Sequence, residues 1–250
     1  MPVTALPRDA GSGAVPVTLI RSAVEYLLGG PKVGGASEAR LRRWIALPGP
    51  DLELPHEQAR YVAVGTRGTG ADLRRDRLVA IGAVAVARMQ LDLADCFTTA
   101  FRNDRASALV RGACPDAGGQ APPAGVAPEI GMLDFLDYTG KAPLVAFQAE
   151  FDRALVDRAA KSILGVPLHH SWIDLGAVLS KLFPEAGCTT LGPWLTHFGL
   201  GGLEREEPLA EALAVAQLLQ IALVAADKAG KTQASHLIAM QRAPRRIYKR

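Results

Sequence analysis

Apolar positions recur along this chain with two periods, and the switch between them outlines the elements. Between residues 17 and 30, Leu19, Val24, Leu27 and Leu28 recur at helical spacing, and Gly29-Gly30 closes the run. A second short helix is predicted over 37–47, with Ser37 placed to cap it. The pattern then changes. Residues 61–65, 77–88 and 91–102 are short, rich in β-branched or alternating residues, and separated by tight turns. They predict a three-strand antiparallel meander. A Gly/Pro-rich surface loop is expected over 112–128. An amphipathic helix follows at 129–140, and the apolar run 143–147 suits a strand buried on both faces. Helical spacing returns over 150–164, 171–183 and 190–200. The longest helix is expected at about 206–226, with Leu209, Leu213, Ala216, Leu219 and Leu223 in one stripe. A last helix near 231–241 leads into a basic tail.

This order predicts an α/β protein with a mixed sheet, the meander plus parallel strands, flanked by helices. Three segments are expected: an N-terminal arm with short helices over 1–57, the main domain over 58–228, and a C-terminal helix and tail over 229–250. The 250 residues suffice for one compact domain with appendages. A net charge of +3 is too small to indicate nucleic-acid binding by itself, but Arg242, Arg245, Arg246, Lys249 and Arg250 crowd the last nine residues. Cys96, Cys114 and Cys188 have neither disulfide-framework nor zinc spacing and read as free thiols of a reducing compartment. With no signal-peptide pattern and no apolar stretch judged long enough to span a membrane, a cytoplasmic protein without a membrane partner is expected.

Three stretches carry a resemblance. "AVGTRGTGADLRRDRLVAIGAV" (63–84), "LVAFQAEFD" (144–152) and "EEPLAEALAVAQLL" (206–219) are similar, in order and spacing, to the three motifs of the DEDDh 3′–5′ exonucleases. This is the family of the epsilon proofreading subunit of bacterial DNA polymerase III. The likeness covers about residues 58–226 and implies a ribonuclease-H-like fold.

In that family four carboxylates hold two divalent ions about 4 Å apart, and a histidine takes a proton from the attacking water. Carried over position by position, the resemblance puts the first Asp on Gly65, the Glu on Arg67, the second Asp on Asp152, the His on Glu206 and the last Asp on Glu211. Arg67 introduces a cation where a ligand belongs. Like charges about 4 Å apart repel by roughly 4 kcal/mol at an effective dielectric of about 20. Only Asp152 and Glu211 remain as candidate metal ligands. Arg67 is expected to fill the vacated place and pair with Asp152, Glu211 or Glu206 in lieu of metals. Other positions have changed too: Phe147 stands where the second motif has His, and "RGA" at 111–113 where relatives often have "HGI".

Three functional readings follow. The first is a catalytically impaired exonuclease homologue that requires no cofactor and acts as a subunit binding single-stranded nucleic acid or another protein. The second is an active Mg- or Mn-dependent 3′–5′ exonuclease with a rebuilt site using Asp152, Glu206 and Glu211, with Asp72 or Asp76 as a further ligand. The third is a scaffold without a nucleic-acid role, contacting a protein through residues 17–47. Arg245, Arg246, Lys249 and Arg250 could bind phosphates through counterion release or simply form a solubilising end. The basic loop over 74–77 reads as a solvated turn. His169-His170 reads as a surface or core pair, because adjacent residues seldom chelate one metal, and Trp172, Trp194 and Phe198 read as core.

Overall fold

The structure, a computed structural model, describes residues 32–70, 75–102, 125–201 and 207–242. The helix expected at 17–30, the 111–113 stretch, Asp72, Glu206 and the tail cations lie outside those residues.

Five strands form one mixed sheet in the order β3-β2-β1-β4-β5. Strands β1 (Arg60–Gly68), β2 (Leu78–Ala87) and β3 (Gln90–Ala100) are the expected antiparallel meander. Strands β4 (Leu144–Ala146) and β5 (Trp172–Asp174) run parallel to β1. β1 is longer than expected because its antiparallel ladder with β2 continues past Gly65 to Gly68, with an irregularity at Arg67/Gly68.

Residues of β1 are buried alternately against two helical layers, the period of two that a strand imposes. Val62 and Val64 face a core that includes α1 (Gly35–Ala46), α2 (Pro128–Thr139) and α3 (Glu150–Ile163). Tyr61 and Ala63 face the other, formed with α4 (Leu175–Leu182), α5 (Leu191–His197), α6 (Pro208–Lys228) and α7 (Ala234–Arg242). β1 and β4 are therefore buried on both faces, as their continuous apolar runs require.

Three expectations change. Residues 171–183 are not one helix: Trp172–Asp174 pairs with β4 as a strand, and Asp174 then caps α4 by accepting from the Ala177 N–H at 3.1 Å. Three strand residues are too few to show a period of two. Ser37 lies inside α1, whose N-cap is Gly34 with no side-chain bond. Finally, α6 has 21 residues and is long and apolar enough to cross a membrane, which the sequence reading had excluded. Half of its apolar window is buried within the fold, where it covers the sheet. Trp194, 1% exposed, and Trp172 lie in the core, and Phe198 packs against it.

The segments flanking the sheet are packed onto it. Leu41 and Trp44 of α1 enter the first core. Residues 52–56 pair with 232–235, through His56 N–H to Thr232 O (2.9 Å), Ser235 N–H to Leu52 O (3.0 Å) and a bridge between Pro55 and Gln233.

Candidate active site

The parallel strands β1, β4 and β5 end at the same edge of the sheet, and the candidate residues gather there. β4 turns into α3 through Phe147 and Gln148. Gln148 takes the left-handed conformation (φ 58°), and the sharp turn sets Asp152 in the first turn of α3. The Asp152 carboxylate is turned into the protein and is only 6% exposed. It accepts a hydrogen bond from the Thr66 hydroxyl of β1 at 2.7 Å. Burial pushes its pKa up to about 7 and nearby Glu211 raises it too, while the Thr66 hydroxyl and the backbone at Thr66 and Asp152 oppose the shift.

Glu211 lies in the first turn of α6, beside β1. This turn rests directly on the sheet where two paired glycines, Gly65 of β1 and Gly82 of β2, leave room. A Cβ placed on Gly65 would meet Pro208 O at 2.4 Å and Glu211 Cβ at 3.0 Å. One on Gly82 would meet Leu209 N at 2.2 Å. The backbone of α6 thus occupies the space into which a side chain at position 65 would project.

Arg67 is exposed at the end of β1. Of the three expected partners, Asp152 and Glu211 form no ion pair with Arg67, and Glu206 lies outside the described residues. Strand alternation keeps Arg67 from Asp152: Thr66, which holds that acid, and Arg67 project to opposite faces of β1. Arg67 shares the face of Gly65, against which Glu211 lies, but at the exposed end of the strand its guanidinium stays hydrated rather than desolvated beside an acid. Asp76 is also engaged, accepting from the Thr69 hydroxyl at 3.1 Å, and so serves the β1–β2 turn. Phe147 packs with the α6-side core, and a Cβ on Gly176 of α4 would meet its ring at 3.2 Å. His170 Nε2 donates to Gly140 O at 3.2 Å, and the ring lies against Trp44, a structural setting. Its neighbour His169 is exposed.

Among the described residues, no group of three His, Cys, Asp or Glu side chains stands close enough to hold a metal ion. Asp152 and Glu211 are brought together as the sequence reading expects, but one is sealed inward. The sequence reading missed Thr66, whose hydroxyl turns the acid away from solvent. The residue's position beside the motif's first carboxylate was visible in the sequence, but its partner 86 residues away was not.

Neither a family model nor a curated protein sequence matches this chain. Solved structures do. Escherichia coli exonuclease I in complex with a dA16 oligonucleotide superposes with a TM-score of 0.55 at 11% identity, over 68% of this chain and 42% of that one. The zinc-bound form of its complex with single-stranded DNA gives 0.54 at 12% identity, over 67% and 41%. The apo enzyme gives 0.52 at 10% identity, over 73% and 44%. This chain therefore spans well under half the length of these proteins. At such identities the likeness shows the fold: a ribonuclease-H-like exonuclease fold.

Proposed function

We propose that this chain is a catalytically impaired protein of the exonuclease fold that binds single-stranded nucleic acid without cleaving it. One observation carries the reading. The first turn of α6 rests on Gly65, so the position matching the first metal-bridging carboxylate has neither an acid nor space for one. The remaining donors do not fit a pair of divalent ions either. Asp152 is sealed inward and held by Thr66. Arg67 places a cation at the second ligand position. Mg²⁺ demands near-octahedral oxygen ligation and gives up its waters reluctantly, so Glu211 with a buried acid is a poor substitute.

Nucleic-acid binding is supported by the fold, by the single-stranded DNA complexes of exonuclease I, and by the tail cations Arg245, Arg246, Lys249 and Arg250. The division into 1–57, 58–228 and 229–250, and a cytoplasmic location, belong to the same proposal. The decisive experiment incubates the protein with a single strand labelled near its 3′ end, in Mg²⁺ or Mn²⁺, with Asp152→Ala in parallel. We expect retention of the strand on the protein with no metal-dependent shortening. Shortening that disappears in the Asp152→Ala protein would mean that a new ligand set works here.

A further inference from the structure

Residue pattern alone makes Arg77 part of a solvated turn, but its backbone is pinned. Thr69 N–H donates to Arg77 O at 3.0 Å, and Arg77 N–H donates to the Thr69 hydroxyl at 3.1 Å. That hydroxyl donates in turn to the buried Asp76 at 3.1 Å. Arg158 of α3 adds a bond from its Nη1 to Asp76 O at 2.6 Å. The Arg77 backbone is therefore fixed against β1 and α3, while its side chain is exposed.

Arg77 and Arg67 share a face. Gly68 and Leu78 pair in the ladder and face the α3 core: a Cβ on Gly68 would meet Leu155 at 3.3 Å, and Leu78 is part of that core. Alternation turns Arg67 and Arg77 to the opposite face, where Gly65 and Gly82 receive α6. Arg67 lies two residues from Thr69 along the strand, and Arg77 lies across from Thr69. Their Cα atoms are thus about 8 Å apart. Among the described residues, neither guanidinium has an ion-pair or hydrogen-bond partner. Glu211, an acid on the same face, lies one step deeper, against Gly65.

Two exposed, unpaired forks at this spacing suit a run of phosphates. A guanidinium meets phosphate oxygens through two parallel N–H bonds. The fixed backbone at Arg77 lowers the ordering cost of making them. Position 67, which carries a metal ligand in the resembled family, here carries the cation itself.

We infer that Arg67 and Arg77 form a metal-independent phosphate clamp on the α6 face of β1 and β2, holding the backbone of a single strand where relatives would use divalent ions. This rests on the nucleic-acid-binding reading above. Glu211 then acts against binding, by like-charge repulsion, rather than for it as a metal ligand.

The test measures binding of a short fluorescent deoxyoligonucleotide across a salt series, in EDTA and in Mg²⁺. It compares the parent chain, Arg67→Gln with Arg77→Gln, Glu211→Gln, and Lys228→Gln with Lys231→Gln. The two lysines are exposed at the far end of α6, about 30 Å from its first turn, and their change controls for net charge. Circular dichroism checks that each protein is folded. We expect the parent to bind equally with and without metal. The arginine pair's loss should weaken binding about tenfold or more at low salt, and flatten the log K against log salt slope by about 1.4, at roughly 0.7 per phosphate contact on a single strand. The lysine variant should keep the parent's slope, and Glu211→Gln should bind more tightly. If the parent binds and the arginine variant behaves like the lysine variant, the inference is overturned while the binding reading stands. Binding that requires Mg²⁺, or that Glu211→Gln weakens, overturns it in the same way, because metals then hold the phosphates. If the parent binds no oligonucleotide in either condition, both readings fall.

Discussion

The hydroxyl of Thr66 donates to the carboxylate of Asp152 at 2.7 Å, across 86 residues of chain and inside the protein. This bond joins β1 to α3 and turns an acid at a candidate catalytic position into a structural one. Removing the donor while keeping the shape, Thr66→Val, leaves a buried acceptor unsatisfied. A loss of about 1–3 kcal/mol is expected, read from the urea midpoint. The Asp152 pKa should also rise above its present value near 7, read by carboxyl NMR titration.

The pH dependence of stability has a defined sign at this residue. The folded-state pKa of Asp152 lies above the ordinary 3.8, so the native state binds more protons between the two values. Its contribution is fully present below about pH 4 and is lost as pH rises through about 7. Asp152→Asn should abolish this fall. The variant should gain on the parent steadily from pH 4 to pH 8 in denaturant titrations.

Gly65 and Gly82 admit α6 to the sheet, so restoring the missing acids should not restore a metal site. Gly65→Asp with Arg67→Glu forces a side chain against Pro208 O. Overpacking of this kind costs about 1–3 kcal/mol. We expect a lower melting temperature than the parent and no rise in it on adding Mg²⁺ or Mn²⁺. A metal-dependent rise would show that α6 lifts to admit the ions.

His56 tests the opposite pH sign. Its Nε2 donates to Lys231 O at 2.8 Å and its Nδ1 accepts from the Tyr61 hydroxyl at 2.7 Å, the arrangement of a neutral ring. Burial lowers its pKa below 6.5, an effect that the Lys231 carbonyl and Asp227 partly offset. Its stabilisation is complete above pH 6.5 and is lost as pH falls below that value. Tyr61→Phe should cost about 1–3 kcal/mol at neutral pH by orphaning Nδ1.

The attachment of α1 separates burial from ion pairing. Arg40 bonds Asp134 at 2.6 Å and Asp137 at 2.5 Å, but all three side chains are at least one-quarter exposed. Trp44 is 5% exposed, donates to Gly140 O at 2.7 Å and lies beneath the Lys141 ammonium. Arg40→Ala should cost less than about 1 kcal/mol, and Trp44→Ala about 3–5 kcal/mol, by urea denaturation.

The meander, the long helix and the position of Asp152 were legible in the sequence because each rests on local periodicity or on a motif of fixed spacing. Strand β5 was not, since a three-residue strand buried beside β4 looks like the start of the helix that follows it. The side chains around Arg67 were not legible either, because residue type predicts a charge while its neighbours depend on which face of β1 it occupies.

The sequence by itself determined the fold class, the order of the elements and the absence of acids at positions 65 and 67. Those properties follow from side-chain pattern and identity along the chain. Only the tertiary structure decided that Asp152 faces Thr66, that α6 closes over Gly65, and that Gln241 binds the β5 edge. Each of these is a contact between residues distant in sequence, set by how two packed layers meet across the sheet, and no local pattern encodes that fit.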